Sequence, residues 1–431
     1  MDLVLSGGED QLLSSLQFKL PPSASYIQER RLVSWYPSGA STFSPNGVRE
    51  ARFVITGDSW LDPASLRINM KLRNDSGQPI QLASGAHALV RRMHLMVGGV
   101  TIEDIDNYSR NAQIFQRLLQ TPDICMNDGI ESGPIYQGDV TNTTLPRERP
   151  VVIQPGTFTL SLTPLLGFLS CKKLVPLRYL GGLQLYIEFA DFEDALSVES
   201  PGRTYSVEQL ALRGATVRLD SALESSFAQL LTSSRALVFS CNTITTQQQA
   251  VPLGASLTMS AVRALSRLNA LFVTFKGAQT YVNAAGVVTN VAPNYKHECV
   301  SFLNPAATDD NESIMEWQLQ IGSKKFPDSP ATSLPETFSL LRQALGVYDS
   351  DIRSLNMTTQ SYGDTGFVIG IPLQTQAGVF SSGYSTRSGD LLTFTAKNLS
   401  TTFGRGVGTI YLHMLSEQLV EIRESGVSVL D

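Results

Sequence analysis

Four histidines, four cysteines and three tight groups of acids are the residues of this 431-residue chain whose types could do chemistry. His297 and Cys299, in the string His-Glu-Cys, stand at i and i+2 and would share one face of a strand. A structural zinc site takes four such ligands, and nothing nearby in sequence completes the set, so neither metal nor cofactor is expected. His87 and His94, seven apart, would fall on opposite faces of one strand and read as ordinary surface or core histidines, while His413 alternates outward on its strand. The acids are Glu103, Asp104 and Asp106; Asp191, Glu193 and Asp194; and Asp309, Asp310 and Glu312. Paired carboxylates can run glycoside hydrolysis. Each group falls in a turn or at a helix start, where solvation and the helix dipole favour acids without any catalytic reason. None has the spacing of a calcium loop, so all three are expected in solvated loops.

Nucleophile and phosphate motifs are missing too. The string around Ser59, Gly-Asp-Ser-Trp-Leu, lacks the second glycine of a nucleophile elbow and opens no helix. No phosphate-cradling loop occurs, and Gly404 to Gly408 precedes a strand rather than a helix. The cysteines (Cys125, Cys171, Cys241, Cys299) are scattered, which predicts reduced thiols rather than a disulfide frame. No catalytic, cofactor or metal residue is assigned, and the chain is not expected to be an enzyme.

The composition narrows the class further. A net charge of −6 argues against a nucleic-acid binder that works through bulk charge, and basic doublets such as Arg30-Arg31, Arg91-Arg92 and Lys324-Lys325 are too sparse for a phosphate stripe. Charged residues make up 17% of the chain, against roughly 25% in an average soluble protein. Lys supplies nine of the 33 basic side chains and Arg the other 24. The guanidinium desolvates more cheaply and bonds in a fixed fork, so this bias suits an exterior covered by partners. Asp2 stands where a secretory signal needs positive charge, and no apolar run approaches the ~20 residues of a membrane helix. Synthesis inside the cell without secretion is expected, which makes the six Asn-x-Ser/Thr matches accidental.

The positioning elements are mainly strands. Leu66, Ile68, Met70 and Leu72 alternate with Arg67, Asn69 and Lys71; Leu183, Leu185, Ile187 and Phe189 do the same, as do Phe158, Leu160 and Leu162, and Ile410, Leu412 and Met414. Such period-2 runs are half-buried strands, separated by turns such as Gly98-Gly99, Asn127-Asp128-Gly129 and Gly181-Gly182. Two helices are predicted. Residues 108–120 carry the stripe Ile114, Phe115, Leu118 and Leu119. Residues 333–345 have Ser333 and Glu336 in capping-box spacing and Pro335 in the first turn.

The same order of elements occurs twice. Gly98 matches Gly322, Phe115 matches Phe338, Phe53 matches Phe272, and the strand after Gly182 matches that after Gly408, with offsets of 219 to 226. One β unit of about 170 residues, used twice, is the simplest reading. The boundaries read as an N-terminal arm at 1–25 with apolar Leu12, Leu13 and Leu16, a first unit at 26–195, a linker at 196–225, a second unit at 226–415 and a C-terminal arm at 416–431.

The stretches 53–74 and 91–115 resemble double jelly-roll major capsid proteins of polinton-like viruses. Residues 263–275 look like the opening of their second jelly roll, and 173–189 are similar to the end of the first roll in the wider lineage of virophage, giant-virus and adenovirus-type capsid proteins. The resemblance implies an all-β fold of two consecutive eight-stranded jelly rolls with one short helix in each. It also implies a homotrimer acting as a pseudo-hexagonal capsomer of an icosahedral virion, with neighbouring capsomers, pentons and minor capsid proteins as partners. Outer loops at 121–155 and 279–315 are short, so a low-profile capsomer without its own receptor domain is expected. The alternative is a two-domain β-sandwich that binds or cleaves glycans, for which Tyr26, Trp35 and Tyr36 are the candidate aromatics.

Overall fold

The computed structural model describes residues 26–121, 130–133, 135–136, 148–149, 152–197, 202–278, 280–282, 288–290, 298–306, 315–346, 355, 357–363, 366–375, 382–401, 405–424 and 426–430. The 1–25 arm, His297, Cys125 and the acids at 309, 310 and 312 lie outside them.

The first unit has eight principal strands: β1 (Ile27–Trp35), β2 (Glu50–Ile55), β3 (Trp60–Asn74), β4 (Val90–Val97), β5 (Val100–Ile105), β6 (Gly156–Leu162), β7 (Leu183–Phe189) and β8 (Tyr205–Leu219). They form two antiparallel sheets, ordered β1-β8-β3-β6 and β2-β7-β4-β5. The second unit repeats the plan with β9 (Leu237–Ala250), β10 (Ser256–Ala261), β11 (Leu268–Gly277), β12 (Glu316–Ile321), β13 (Lys324–Ala331), β14 (Ile369–Pro372), β15 (Leu392–Lys397) and β16 (Val407–Arg423). Its sheets are β9-β16-β11-β14 and β10-β15-β12-β13, with β17 (Gly426–Leu430) added on β16. Strand for strand, the two orders coincide. Each unit is a jelly roll, closed by packing two four-stranded sheets face to face.

Alternation explains the cores. Leu66, Ile68, Met70 and Leu72, together with Leu183, Leu185, Ile187 and Phe189, point into the first roll and are buried. Trp317, Leu319, Phe394 and Phe275 fill the second, with Trp317 and Phe394 stacked 6.2 Å apart. The hairpins β4-β5 and β12-β13 occupy equivalent places. Gly98 and Gly322 turn them at φ 55° and 57°, a left-handed conformation that suits glycine.

A helix follows each hairpin: α1 (Tyr108–Gln113), which widens into a π segment over Ile114–Leu118, and α3 (Leu334–Ala344). In α3 the Ser333 hydroxyl accepts from the Glu336 N–H at 3.3 Å, and the Glu336 carboxylate accepts from the Thr332 N–H at 3.2 Å. A further helix, α2 (Ser221–Thr232), joins the rolls and spans the expected boundary between residues 225 and 226. Asp220 caps it, and Phe227 packs on Trp60 at 4.9 Å between ring centres.

Strand pairing redraws the expected boundaries. Residues 205–219, placed in a linker, are β8, hydrogen-bonded between β1 and β3 at the centre of the first roll. Residues 416–423, placed in an arm, continue β16, and β17 pairs with them. The second roll opens at Leu237, before 263–275. Two repeat landmarks hold, the glycine turns and the helices. The other two slip by one strand: Phe53 lies on β2 but Phe272 on β11, whose counterpart is β3, and Gly182 leads into β7 whereas Gly408 lies on β16, the counterpart of β8. Alternating strands look alike in sequence, and only sheet order tells them apart.

Candidate functional site: the seam between the rolls

The densest polar chemistry lies where the first roll meets the second. Helix α1 sits at the edge of the first roll and lays its far face on the outer side of β9-β16-β11. Arg110 is fully buried there. Its Nε donates to Thr274 Oγ1 at 3.0 Å, Nη1 to the Glu298 carbonyl at 2.9 Å and Nη2 to the Phe275 carbonyl at 3.2 Å. The guanidinium lies 4.4 Å from the centre of the Phe302 ring and 4.2 Å from that of Tyr411. Aromatic faces and carbonyls replace the water it loses, which makes burying this charge tolerable.

His413 is the second surprise: it faces this seam and is fully buried, not outward to solvent. The period-2 pattern is intact, but the outer face of β16 is covered by α1. Its Nε2 meets Thr274 Oγ1 at 3.0 Å and its Nδ1 meets Asn111 Oδ1 at 2.8 Å. Asn111 Oδ1 can only accept, so Nδ1 carries the proton, and Nε2 of the neutral ring accepts from the Thr274 hydroxyl. Burial and the Arg110 cation hold the imidazole pKa far below its ordinary value. It is a neutral structural histidine.

Glu103 overturns the solvated-loop expectation in the same way. It is buried on β5, and its two oxygens accept from the Gly167 and Phe168 N–H groups at 2.9 and 2.8 Å. Burial raises its pKa to about 7, against those two bonds and one from the Thr243 hydroxyl of the second roll. Gly167 lies so close to β9 that a β-carbon there would meet the Asn242 carbonyl oxygen at 1.8 Å. Phe168 packs tilted against Phe239 with ring centres 5.4 Å apart, and Gln418 Nε2 donates to the Ile102 carbonyl at 3.0 Å. Phe239, Cys241, Val420 and Ile422 of the second roll belong to the hydrophobic cluster of the first, and Ile114 and Leu119 of the first belong to that of the second.

A cleft of about 620 Å³ opens beside this seam, lined by Arg91, Arg92, Asp104, Asp106, Glu188 and Arg263 among others. A hydrolase would need one protonated and one ionised carboxyl facing one substrate. Glu103 and Asp104 have the opposed pKa values, but Glu103 points inward and Asp104 outward. Partial burial would raise Asp104, yet the Arg92 guanidinium, at 2.7 Å, holds it below the ordinary range. Arg91 reaches Glu188 at 3.4 Å. The cleft is therefore braced by ion pairs, and Glu103, which also lines it, has both oxygens bound to the Gly167 and Phe168 N–H groups.

The other sequence candidates disperse. His87 is buried in a 3₁₀ turn, 2.7 Å from Gln113, and burial, with the Arg117 cation, lowers its pKa to about 3. His94 stacks on Tyr186 at 5.6 Å on the opposite sheet face from the core. Asp194 is raised by burial, and Asp191 pairs with Arg49. Trp35 is in the core while Tyr26 and Tyr36 are exposed, so the three form no aromatic platform. Cys171, Cys241 and Cys299 are free thiols. Among the described residues, no group of three or more metal-ligating side chains occurs, and no helix is long and apolar enough to cross a membrane.

No family model and no curated protein matches the chain. Solved structures do. PBCV-1 VP54, fitted into a reconstruction of the virophage Sputnik, aligns over 96% of this chain and 99% of its own, with a TM-score of 0.62 at 12% identity. The faustovirus major capsid protein aligns over 95% and 93% with a TM-score of 0.62 at 7% identity. The mavirus major capsid protein aligns over 98% and 93% with a TM-score of 0.52 at 10% identity. The chain has the double jelly-roll fold of viral major capsid proteins. Because each alignment spans both rolls, the double jelly roll is matched in its overall arrangement and not merely in one sandwich. The seam of Arg110, His413 and Glu103 is what fixes that arrangement in this chain.

Proposed function

We propose that the chain is a major capsid protein that assembles as a homotrimeric, pseudo-hexagonal capsomer of an icosahedral virion. One observation carries this reading: two jelly rolls of the same strand order are locked side by side by a buried seam, and they align with capsid subunits over nearly their whole length. A capsomer needs rigid walls more than a pocket. Here the histidine and carboxylate that could do chemistry are sealed inside the wall. A structural, non-enzymatic role in the virion follows, with neighbouring capsomers, pentons and minor capsid proteins as partners and synthesis inside the host cell. Three copies give six rolls around one axis, and many modest contacts between such units add up along a shell.

Negative-stain imaging of the purified protein tests the reading. Hexagon-like particles with threefold symmetry are expected. A stable monomer at micromolar concentration overturns it.

A further inference from the structure

Two thiols from different rolls line one hollow. It measures about 450 Å³ and runs along the seam, with Cys171 of the first roll and Cys241 of the second both in its wall, beside Ser170, Ser240 and Asn242. From Gly167 onward the first roll's chain runs back along β9. Gly167 stands against the Asn242 carbonyl, and the Phe168 ring packs on Phe239. Lys173 Nζ donates to the Val238 carbonyl at 2.9 Å and lies 5.9 Å from the centre of the Phe239 ring. Cys171 therefore falls between two residues that are both held on Phe239. Cys241 is two positions from Phe239 on the same face of β9. Phe239 and Cys241 belong to the hydrophobic cluster against which Cys171 packs.

We infer that Cys171 and Cys241 form a cross-link site, whose disulfide ties the 167–173 turn of the first roll to β9 of the second. Both are free thiols in the structure. Bridging them draws the two Cα atoms to about 5.5–6 Å. β9 is held along its whole length by β16, whereas residues 171–173 form a bend outside the strands, so the bend makes the adjustment.

The chemistry is thiol–disulfide exchange with a small disulfide such as glutathione disulfide. Cys171 is half-buried and Cys241 buried, so Cys171 reacts first. Its thiolate attacks one sulfur of glutathione disulfide, breaks that S–S bond and releases one glutathione. The Cys241 thiolate then attacks the Cys171 sulfur and releases the second. Two protein thiols are oxidised, one disulfide is reduced, and the two thiol protons end on the two glutathiones. Burial pushes the Cys171 thiol up, so the exchange is slow near neutral pH and quickens in mild alkali. On the capsid reading this sets a time for the link: the thiols stay reduced in the cell and join once the shell meets oxidising surroundings. That timing rests on the capsid reading, and the link itself does not.

The test incubates the purified full-length protein with glutathione disulfide in mild alkali, then alkylates it and maps its peptides. A peptide pair joining Cys171 to Cys241 within one chain is expected. The melting temperature should rise by about 4 °C and fall back on adding dithiothreitol. Cys241→Ala should stop half-way, with glutathione held on Cys171, and Cys171→Ser should show neither link nor shift. If the folded parent protein gives no such pair, or gives it only after unfolding in urea, the site is overturned. Sedimentation of the same samples reads assembly separately. A trimer without the link sinks the site alone, whereas a linked monomer supports the site and sinks the capsomer reading with its timing.

Discussion

At the scale of single residues, three buried polar groups decide how the rolls meet. Arg110 and His413 bond across the seam, and Glu103 ties the 167–168 turn to β5 while taking a hydrogen bond from Thr243 of the second roll, so removing any of them strands partners in a dry environment. Arg110→Ala deletes three hydrogen bonds and two ring contacts and is expected to cost about 3–5 kcal/mol, measurable by urea denaturation. Glu103 makes a pH prediction. Its folded pKa of about 7 lies above the ordinary value of 4.5, so the native state holds a proton that the unfolded chain releases between those values. Stability contributed by this group is therefore full below pH 4.5 and declines as pH rises to 7. Melting temperatures of Glu103→Gln against the parent protein should show that slope flattened in the variant. An unchanged slope would mean that Glu103 is ionised throughout.

The element scale shows what sequence patterns can and cannot reveal. Alternation at Leu66–Ile68–Met70–Leu72 and at Leu183–Leu185–Ile187–Phe189 marks the core-facing sides correctly, and capping spacing marks α3. Alternation does not say what covers the other side. His413 and Glu103 sit at positions that look like ordinary outward or turn residues, and they are buried because a second roll or a distant loop packs there. Helix α2 is legible in the sequence: Asp220 is a capping residue, and Leu223, Phe227 and Leu231 recur at helical spacing, whereas the expected boundary between residues 225 and 226 cuts through it. The closest approach of the rolls, Gly167 against Asn242, leaves no trace in sequence beyond a glycine. Gly167→Ala forces the 167–170 turn off β9 and is expected to destabilise by about 2–3 kcal/mol, seen as a lowered denaturation midpoint. Ser333→Ala, which removes only the α3 cap, should cost about 1 kcal/mol.

At the scale of the whole molecule, the two rolls share their hydrophobic clusters as well as their polar seam. They should therefore unfold together, giving a single calorimetric transition rather than two. Separate transitions would mean that the seam is weaker than its contacts indicate. The low charge and the excess of arginine suit the proposed capsomer, in which chains would cover one another's surfaces. That claim is tested most directly by the mass of the purified protein at equilibrium in the ultracentrifuge. Three times the 46.9 kDa chain is the predicted result, and a particle of one chain's mass at micromolar concentration would contradict it.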